Sequence, residues 1–241
     1  MWGLEHEPSL KGLFNLHYAV PSICADDLAS RKADIGIVPV VEMARQKLEW
    51  FRDVGICSFG PVRSILLISK VPFDQIRTLA TDSGSRTSVM LARMILAEQF
   101  GVEPEVVSQP PVLGRMLQKA DAALLIGDAA LRIEPDRLPY ASLDLGQAWT
   151  SLTNLPMVFA VWAGRKEIMI PEFAAALAAS SKYGMAHMND IVVHEAKARN
   201  FSEAVVRQYL THSIKFDLND DCYKAIDLYL KKSALLEPTL V

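Results

Sequence analysis

The sequence has few of the residues that build disulfide or metal sites. Its three cysteines, Cys24, Cys57 and Cys222, are widely spaced and form no C-x-x-C pair, so neither a disulfide framework nor a structural zinc site is indicated. The five histidines show no H-E-x-x-H spacing. His194 and Glu195 are neighbours in a predicted helix, where adjacent side chains point in different directions. We therefore predict reduced, buried thiols, no metal and no cofactor.

An excess of positive charge and a long apolar run are also missing. Among the 241 residues, 25 Lys and Arg stand against 28 Asp and Glu, which argues against a protein that binds nucleic acid through bulk charge. No run of about 18 apolar residues could span a membrane, and the start shows no basic segment followed by an apolar one. With 51% hydrophobic residues, the composition is typical of a folded protein. We expect a cytoplasmic protein without nucleic-acid or membrane partners.

Short apolar runs alternate with helical patterns over the first two thirds of the chain. The predicted strands are 16–20, 35–41, 64–69, 78–81, 122–126 and 156–163. These runs are apolar at successive positions, which is typical of strands buried on both faces of a parallel sheet. The clearest helix is predicted over 86–99, and four more follow Pro171, two of them with N-caps at Ser202 and Asp220. This alternation predicts an α/β fold.

Two of the apolar runs, 63–69 and 156–164, bracket a middle segment that is itself α/β in character. If both runs cross between two lobes, residues 67–159 form one lobe, and residues 1–66 together with 160–241 form the other. A cleft then lies between the lobes. Ligands of open α/β sheets collect at the carboxyl ends of the strands, so the loops there are where we expect the chemistry.

The most informative of these strand ends runs into the helix predicted over 86–99. Ser85, Thr87 and Ser88 place hydroxyl groups beside the unpaired N–H groups of the first helical turn, and Gly84 lets a ligand approach the backbone. This pattern predicts a cradle for a carboxylate or a phosphate. The alternative is ordinary helix capping by Ser83 or Ser85. The spacing is not that of a P-loop.

Three further strand ends carry polar groups or free N–H groups. Asp128 follows Gly127 and either faces the cleft as a polar or acid–base group or caps the short helix that it precedes. Pro39 leads into a helix at Val40, which leaves N–H groups for a ligand or makes a plain turn. Arg63 either clamps a carboxylate or is a solvated charge. Residue chemistry alone thus predicts a two-lobed binder of a small anion.

Four segments, in order along the chain, carry a resemblance to a known family. They are GPVRSILL from Gly60, SRTS from Ser85, ADAALLIGD from Ala120, and DLG from Asp144 continuing to LPMVFAVWAGR, which ends at Arg165. Together they resemble the chorismate dehydratases of the futalosine route to menaquinone. The resemblance covers nearly the whole chain. It implies the fold of type II periplasmic binding proteins, with two lobes joined by two crossing strands, and the loss of water from chorismate without a cofactor.

The resemblance also suggests a site. The substrate-binding residues would be Pro39, Val40, Ser58, Ser85, Arg86, Thr87, Ser88 and Gly127. Asp128 would orient the leaving hydroxyl, while the side chain of Arg86 can also point away from the cleft. The sister enzyme, 1,4-dihydroxy-6-naphthoate synthase, has a proton-transferring histidine where this sequence has Gly127, and this difference favours the dehydratase. Trp149 and Trp162 are interpreted as core residues and not as ligand contacts.

One departure from the family concerns the start of the chain. Family members usually begin with a strand and a Ser-Tyr-Leu-Asn-like turn ahead of the segment that matches Met1, and we expect the upstream DNA to encode them. Without that strand, its neighbours in the sheet would keep unpaired N–H and C=O groups. A solute-binding protein and the effector lobe of a transcription regulator share the fold, but neither an export signal nor a helix-turn-helix is evident in the sequence.

Overall fold

The computed structural model describes residues 1–82 and 86–236, which form an α/β fold with two sheets. The strands are β1 (Ile35–Pro39), β2 (Glu49–Ser58), β3 (Ile65–Ser69), β4 (Thr78–Thr81), β5 (Glu105–Ser108), β6 (Ala122–Ile126), β7 (Ala141–Asp144), β8 (Met157–Gly164) and β9 (Lys215–Asp217). The helices are α1 (Trp2–His6), α2 (Pro21–Ala29), α3 (Val40–Arg45), α4 (Arg86–Phe100), α5 (Leu113–Lys119), α6 (Asp128–Leu131), α7 (Leu145–Thr153), α8 (Pro171–Ala186), α9 (Met188–Arg199), α10 (Glu203–Gln208) and α11 (Asp220–Leu236). The α/β class is confirmed.

The first sheet has the strand order β1-β8-β2-β9. Strand β8 lies between β1 and β2 and is antiparallel to both, with Val38 opposite Val161 on one side and Gly55 opposite Val161 on the other. Because β1 and β2 each run opposite to β8, they run in the same direction, and both end at the same edge of the sheet. Two strands from the start of the chain are thus joined by one that comes much later.

The second sheet has the order β5-β4-β6-β3-β7. Strand β4 is parallel to both β5 and β6, whereas β3 is antiparallel to β6 and β7. The prediction of a parallel sheet is therefore right for β4 and β6 and wrong for β1, β3 and β8. All of these strands are largely buried, and burial on both faces makes a strand apolar whichever way its neighbour runs.

The strand predicted over 16–20 is wrong. This segment has no regular secondary structure, and Tyr18 and Val20 are exposed. Strand β1 is the edge of its sheet and pairs only with β8, so no strand of the described sheets pairs with the apolar run. Leu16 packs instead against the buried cluster that includes Leu4 and Leu10. An apolar run becomes a strand only where another strand satisfies its backbone.

Trp149 confirms the prediction that it belongs to the core. Its ring is fully buried, its Nε1 donates a hydrogen bond to the carbonyl of Pro156 at 3.1 Å, and the ring of Tyr229 meets it edge-on at 6.0 Å. Tyr229 belongs to α11, so α11 and α7 contribute to the same core. Trp162 is only half-buried and packs against the cluster that includes Leu177, so its interpretation as a core residue is right only in part.

The segment that connects β2 to β3 is held by one carboxylate. Asp144 accepts hydrogen bonds from the backbone N–H groups of Val62 at 3.0 Å and Arg63 at 2.7 Å, and it caps α7 by accepting from Gln147 N at 3.1 Å. Gly146 packs so closely here that a Cβ would lie 2.8 Å from a backbone oxygen. Arg63 has φ +63° and is not a freely solvated charge, since its Nη2 donates to a backbone carbonyl at 3.1 Å.

The helix starts agree in part with the predictions. Ser202 caps α10 by accepting from Val205 N at 3.3 Å, as predicted. Asp220 is not a cap, because Asn219 stands one position before the helix and accepts from Cys222 N at 3.1 Å. Among the helices formed by residues 1–82 and 86–236, none is long and apolar enough to cross a bilayer.

Candidate active site

The predicted site residues follow the carboxyl ends of four strands. In the first sheet, β1 ends at Pro39 and β2 ends at Ser58, and the two strands run in the same direction. In the second sheet, the parallel strands β4 and β6 end at Thr81 and Ile126. The starts of α3, α4 and α6 therefore lie at two sheet edges of the kind where α/β proteins bind ligands.

The two edges meet where α4 begins. The Oγ1 of Thr87 accepts a hydrogen bond from the backbone N–H of Val41 at 3.5 Å, and the hydroxyl of Tyr229 donates to the carbonyl of Thr87 at 2.9 Å. Thr87 and Ser88 are only 1% and 2% exposed. The structure therefore brings Thr87 to the turn after Pro39. Residues 83–85, with Ser85 and the predicted cap at Ser83 or Ser85, lie outside the described residues.

Arg86 and Glu42 form an ion pair beside this contact. The Nη1 of Arg86 lies 2.8 Å from the Oε1 of Glu42, and Asp26 is a second, looser partner at 3.8 Å. Arg45 binds the other carboxylate oxygen of Glu42 at 2.6 Å. Burial would raise the pKa of Glu42, but the hydrogen bonds and charges of Arg86 and Arg45 outweigh it and hold this pKa below 4.5. Glu42 is thus a buried, ionised group that sequence analysis missed.

Ser58 is fully buried, and its hydroxyl donates a long hydrogen bond of 3.4 Å to the carbonyl of Gly60. A Cβ on Gly146 would lie 2.8 Å from the Ser58 Oγ, so a side chain at position 146 has no room here. The hydroxyl therefore faces the segment that connects the two sheets, close to the end of β2.

The turn at Gly127 decides the position of Asp128. Gly127 has φ +61°, donates its N–H to the carbonyl of Ser64 at 2.7 Å and is itself the residue before α6. Asp128 is the first residue of the helix and makes no capping bond, so the capping interpretation is wrong. Its carboxylate instead accepts a hydrogen bond from Arg199 Nη1 at 3.2 Å.

A cavity of about 550 Å³ opens beside Asp128. Most of its lining is apolar, and Arg199 and Tyr209 also line it. Tyr209 donates to the Oγ of Ser64 at 3.0 Å, and burial raises the pKa of its hydroxyl. Of the predicted site residues that the structure describes, Asp128 alone lines this cavity. Tyr209 and Arg199 come from the C-terminal helical region, and no pattern in the sequence links them to Asp128.

Histidine and cysteine side chains form small local contacts. His194 and Glu195 do touch, at 3.0 Å from Nδ1 to Oε1, contrary to the expectation from helix geometry, because the side chains are long enough to bend toward each other. Cys57 and Cys222 are buried, with their sulfur atoms 3.8 Å apart, and Cys24 is half-buried. Within the described part of the chain, no three His, Cys, Asp or Glu side chains gather as metal ligands.

Comparison with protein families gives one match over almost the entire chain. The model of a family described as menaquinone biosynthesis matches residues 1–234. Two curated relatives carry the name chorismate dehydratase. The protein from Thermus thermophilus is 29% identical over 225 residues, which are 86% of this chain and 82% of the relative. The protein from Campylobacter jejuni is 30% identical over 148 residues, which are 61% of this chain and 52% of the relative.

Solved structures with a similar fold include periplasmic binding proteins. Protein AF1704 from Archaeoglobus fulgidus superposes with a TM-score of 0.66 at 17% identity, covering 92% of this chain and 86% of that protein. The periplasmic aliphatic sulphonate binding protein SsuA from Escherichia coli superposes with a TM-score of 0.61 at 15% identity, covering 91% of this chain and 79% of that protein. These matches confirm the periplasmic-binding-protein-like fold that the sequence predicts.

Proposed function

Because the chain belongs to the menaquinone biosynthesis family, we propose that it is a chorismate dehydratase, a hydro-lyase that removes water from chorismate to give 3-[(1-carboxyvinyl)oxy]benzoate. The name that the two curated relatives share supports this proposal, and so do the four ordered sequence segments. The structural observation that carries it is the buried pair of hydroxyl residues, Thr87 and Ser88, in the first turn of α4 against the turn that follows β1.

Chorismate has two carboxylates, and the start of α4 suits one of them. The helix has 15 residues, and the N-terminus of a helix of this length offers the positive end of the helix dipole to an anion. Thr87 and Ser88 add hydroxyl donors in the same turn, and we include Arg86 and Ser85 in this half of the site. In the other half, the backbone at Pro39 and Val40 together with Ser58 would line the substrate.

The proposed reaction does not require a strong acid or base from the protein. The substrate loses the hydrogen at C3 and the hydroxyl at C4, and the aromatic ring that forms drives the elimination. The enolpyruvyl carboxylate of the substrate would take the C3 proton, so positioning and electrostatic stabilisation supply most of the catalysis. Asp128, held by Arg199, would orient the departing hydroxyl, and Gly127 would leave room beside it.

The proposed lobes close over this site. We assign residues 67–159 to one lobe, and residues 1–66 and 160–241 to the other, with β3 and β8 lying near the two junctions. Closure would exclude water, which protects chorismate from competing hydrolysis and strengthens the electrostatic contacts with its carboxylates. A cytoplasmic location remains part of the proposal.

The test is to incubate the purified protein with chorismate and to follow the aromatic product by chromatography. We expect chorismate to disappear and one equivalent of 3-[(1-carboxyvinyl)oxy]benzoate to form, and we expect Asp128→Asn to slow this conversion. Binding of chorismate without any turnover would contradict the proposal and favour a solute-binding protein of the same fold. The absence of both binding and turnover would contradict both functions.

A further inference from the structure

Glu42 links two helices that belong to different sheets. Helix α3, which carries Glu42, follows β1 of the first sheet, and α4, which begins at Arg86, comes after β4 of the second sheet. The Oε1 of Glu42 lies 2.8 Å from the Nη1 of Arg86, and the Oε2 lies 2.6 Å from the Nη2 of Arg45 in the same helix as Glu42. The ion pair between Glu42 and Arg86 therefore connects the helix that follows the first sheet's β1 to the helix that follows the second sheet's β4. The ion pair between Glu42 and Arg45 lies within one helix.

The two partners differ in how deeply they are buried. The side chain of Glu42 is 1% exposed, whereas that of Arg86 is 42% exposed. A carboxylate buried to this degree is stable as an anion only beside a cation, because water cannot solvate its charge. Glu42 is thus a fixed anchor, and Arg86 is the group that this anchor holds in position.

The other described contacts at this junction are weaker or come from elsewhere. The hydrogen bond from Val41 N to Thr87 Oγ1 is 3.5 Å long, at the limit for such a bond. Tyr229 supports the carbonyl of Thr87, but it does so from α11 and not from α3. The short, charge-assisted contact between Glu42 and Arg86 is therefore the stronger of these links between α3 and the start of α4.

We propose that Glu42 is a positioning residue of the active site: through Arg86 it fixes the first turn of α4 against α3, so that Thr87 and Ser88 meet the substrate carboxylate at the correct distance. The inference rests on the proposed function, and it assigns Glu42 no contact with the substrate. Displacements of about 1 Å in such a binding turn reduce catalytic efficiency by about a hundredfold or less, which sets the scale of the effect.

The variant that tests this is Glu42→Gln, with Arg45→Gln as its matched control. Both variants remove one charge from the same cluster, but only Glu42→Gln weakens the link between the two sheets. We expect Glu42→Gln to raise KM for chorismate about tenfold while kcat falls much less, and Arg45→Gln to leave KM within about twofold of the wild-type value. Glu42→Gln should add little to the effect of Arg86→Gln, because both break the same pair.

A purely structural role would lower the melting temperature of both Gln variants and leave KM unchanged, and that result overturns the inference. Glu42→Asp keeps the charge, so we expect it to fold and to show an intermediate KM. If Glu42→Gln does not fold, an unchanged KM in Glu42→Asp overturns the inference instead.

Failure of the proposed function is recognised separately, since the wild-type protein would then not convert chorismate. In that case amide hydrogen exchange in the first turn of α4 tests the link without any substrate. Faster exchange in Glu42→Gln than in Arg45→Gln supports the link between the sheets, and equal exchange in the two variants overturns it.

Discussion

The hydroxyl of Thr87 offers the sharpest test of the binding turn. Thr87→Val keeps the shape of the side chain and removes only the hydroxyl. In the structure this hydroxyl accepts one hydrogen bond, 3.5 Å long, from Val41 N. Because a neutral hydrogen bond contributes about 1 kcal/mol and this one is at the limit of length, we expect the free energy of unfolding to fall by less than about 1 kcal/mol.

Thr87→Val should weaken the binding of chorismate by much more free energy than it removes from the stability of the fold. A hydrogen bond to a charged group contributes about 1.5–3 kcal/mol, so losing one to a substrate carboxylate should raise the Kd for chorismate about 10- to 150-fold. Titration calorimetry measures the Kd, and urea denaturation measures the stability. The control is Thr78→Val, because Thr78 stands at the opposite end of β4 and binds Asp121 at 3.0 Å. We expect Thr78→Val to lower stability and leave the Kd unchanged.

A Kd for Thr87→Val within about twofold of the wild-type value would refute the reasoning, since it would correspond to less than about 0.5 kcal/mol. A loss of stability as large as the loss of binding energy would refute it as well. The hydroxyl would then serve the contact between α3 and α4 and not the substrate.

Two other predictions concern stability. Asp144→Ala removes the acceptor for three backbone N–H groups, one of which is the capping bond of α7, so the free energy of unfolding should fall by about 2–4 kcal/mol. Asp144→Asn should lose less, and a shift in the urea midpoint equivalent to less than about 1 kcal/mol for Asp144→Ala contradicts this. The pKa of Glu42 is lower in the folded protein than its ordinary value of 4.5, so its ionisation stabilises the fold above about pH 4.5 and ceases to do so as the pH falls through the folded-state pKa. The gap in melting temperature between the wild-type protein and Glu42→Gln should accordingly narrow as the pH is lowered below 4.5, and a gap that stays constant in acid contradicts this assignment.

The elements that the sequence predicts best are the buried ones, whose apolar runs begin and end where the elements do. The helix predicted over 86–99 is α4, and the strands predicted over 78–81 and 122–126 are β4 and β6. Strand β2 escaped prediction because its middle is exposed at Arg52 and Asp53 and its register shifts between Trp50 and Gly55, so its pattern follows no single period. Strands β5 and β7 are short, contain no fully buried residue and lie at the two edges of their sheet.

Of the candidate site, the sequence could predict only those residues that follow a predictable strand. The rule that ligands meet the carboxyl ends of strands indicated Pro39, the start of α4 and Gly127, and the structure places Pro39 and Gly127 at the ends of β1 and β6 and Thr87 in the first turn of α4, which comes after β4. Ser58 was indicated by the family resemblance alone, because β2, which it ends, was not predicted. Contacts between segments that are distant in the sequence could not be predicted from such a rule. Tyr209 and Ser64 are 145 residues apart, and the sequence around neither residue indicates that they form a hydrogen bond.

The position of β8 has a consequence for how the protein is made. This strand joins β1 to β2, yet the ribosome releases it only after every strand of the second sheet. The nascent chain can therefore assemble the second sheet first, while β1 and β2 still lack the strand that pairs with both of them. Such late, long-range pairing slows folding and exposes the emerging chain to aggregation, so chaperones would act chiefly on the segments that were synthesised earliest.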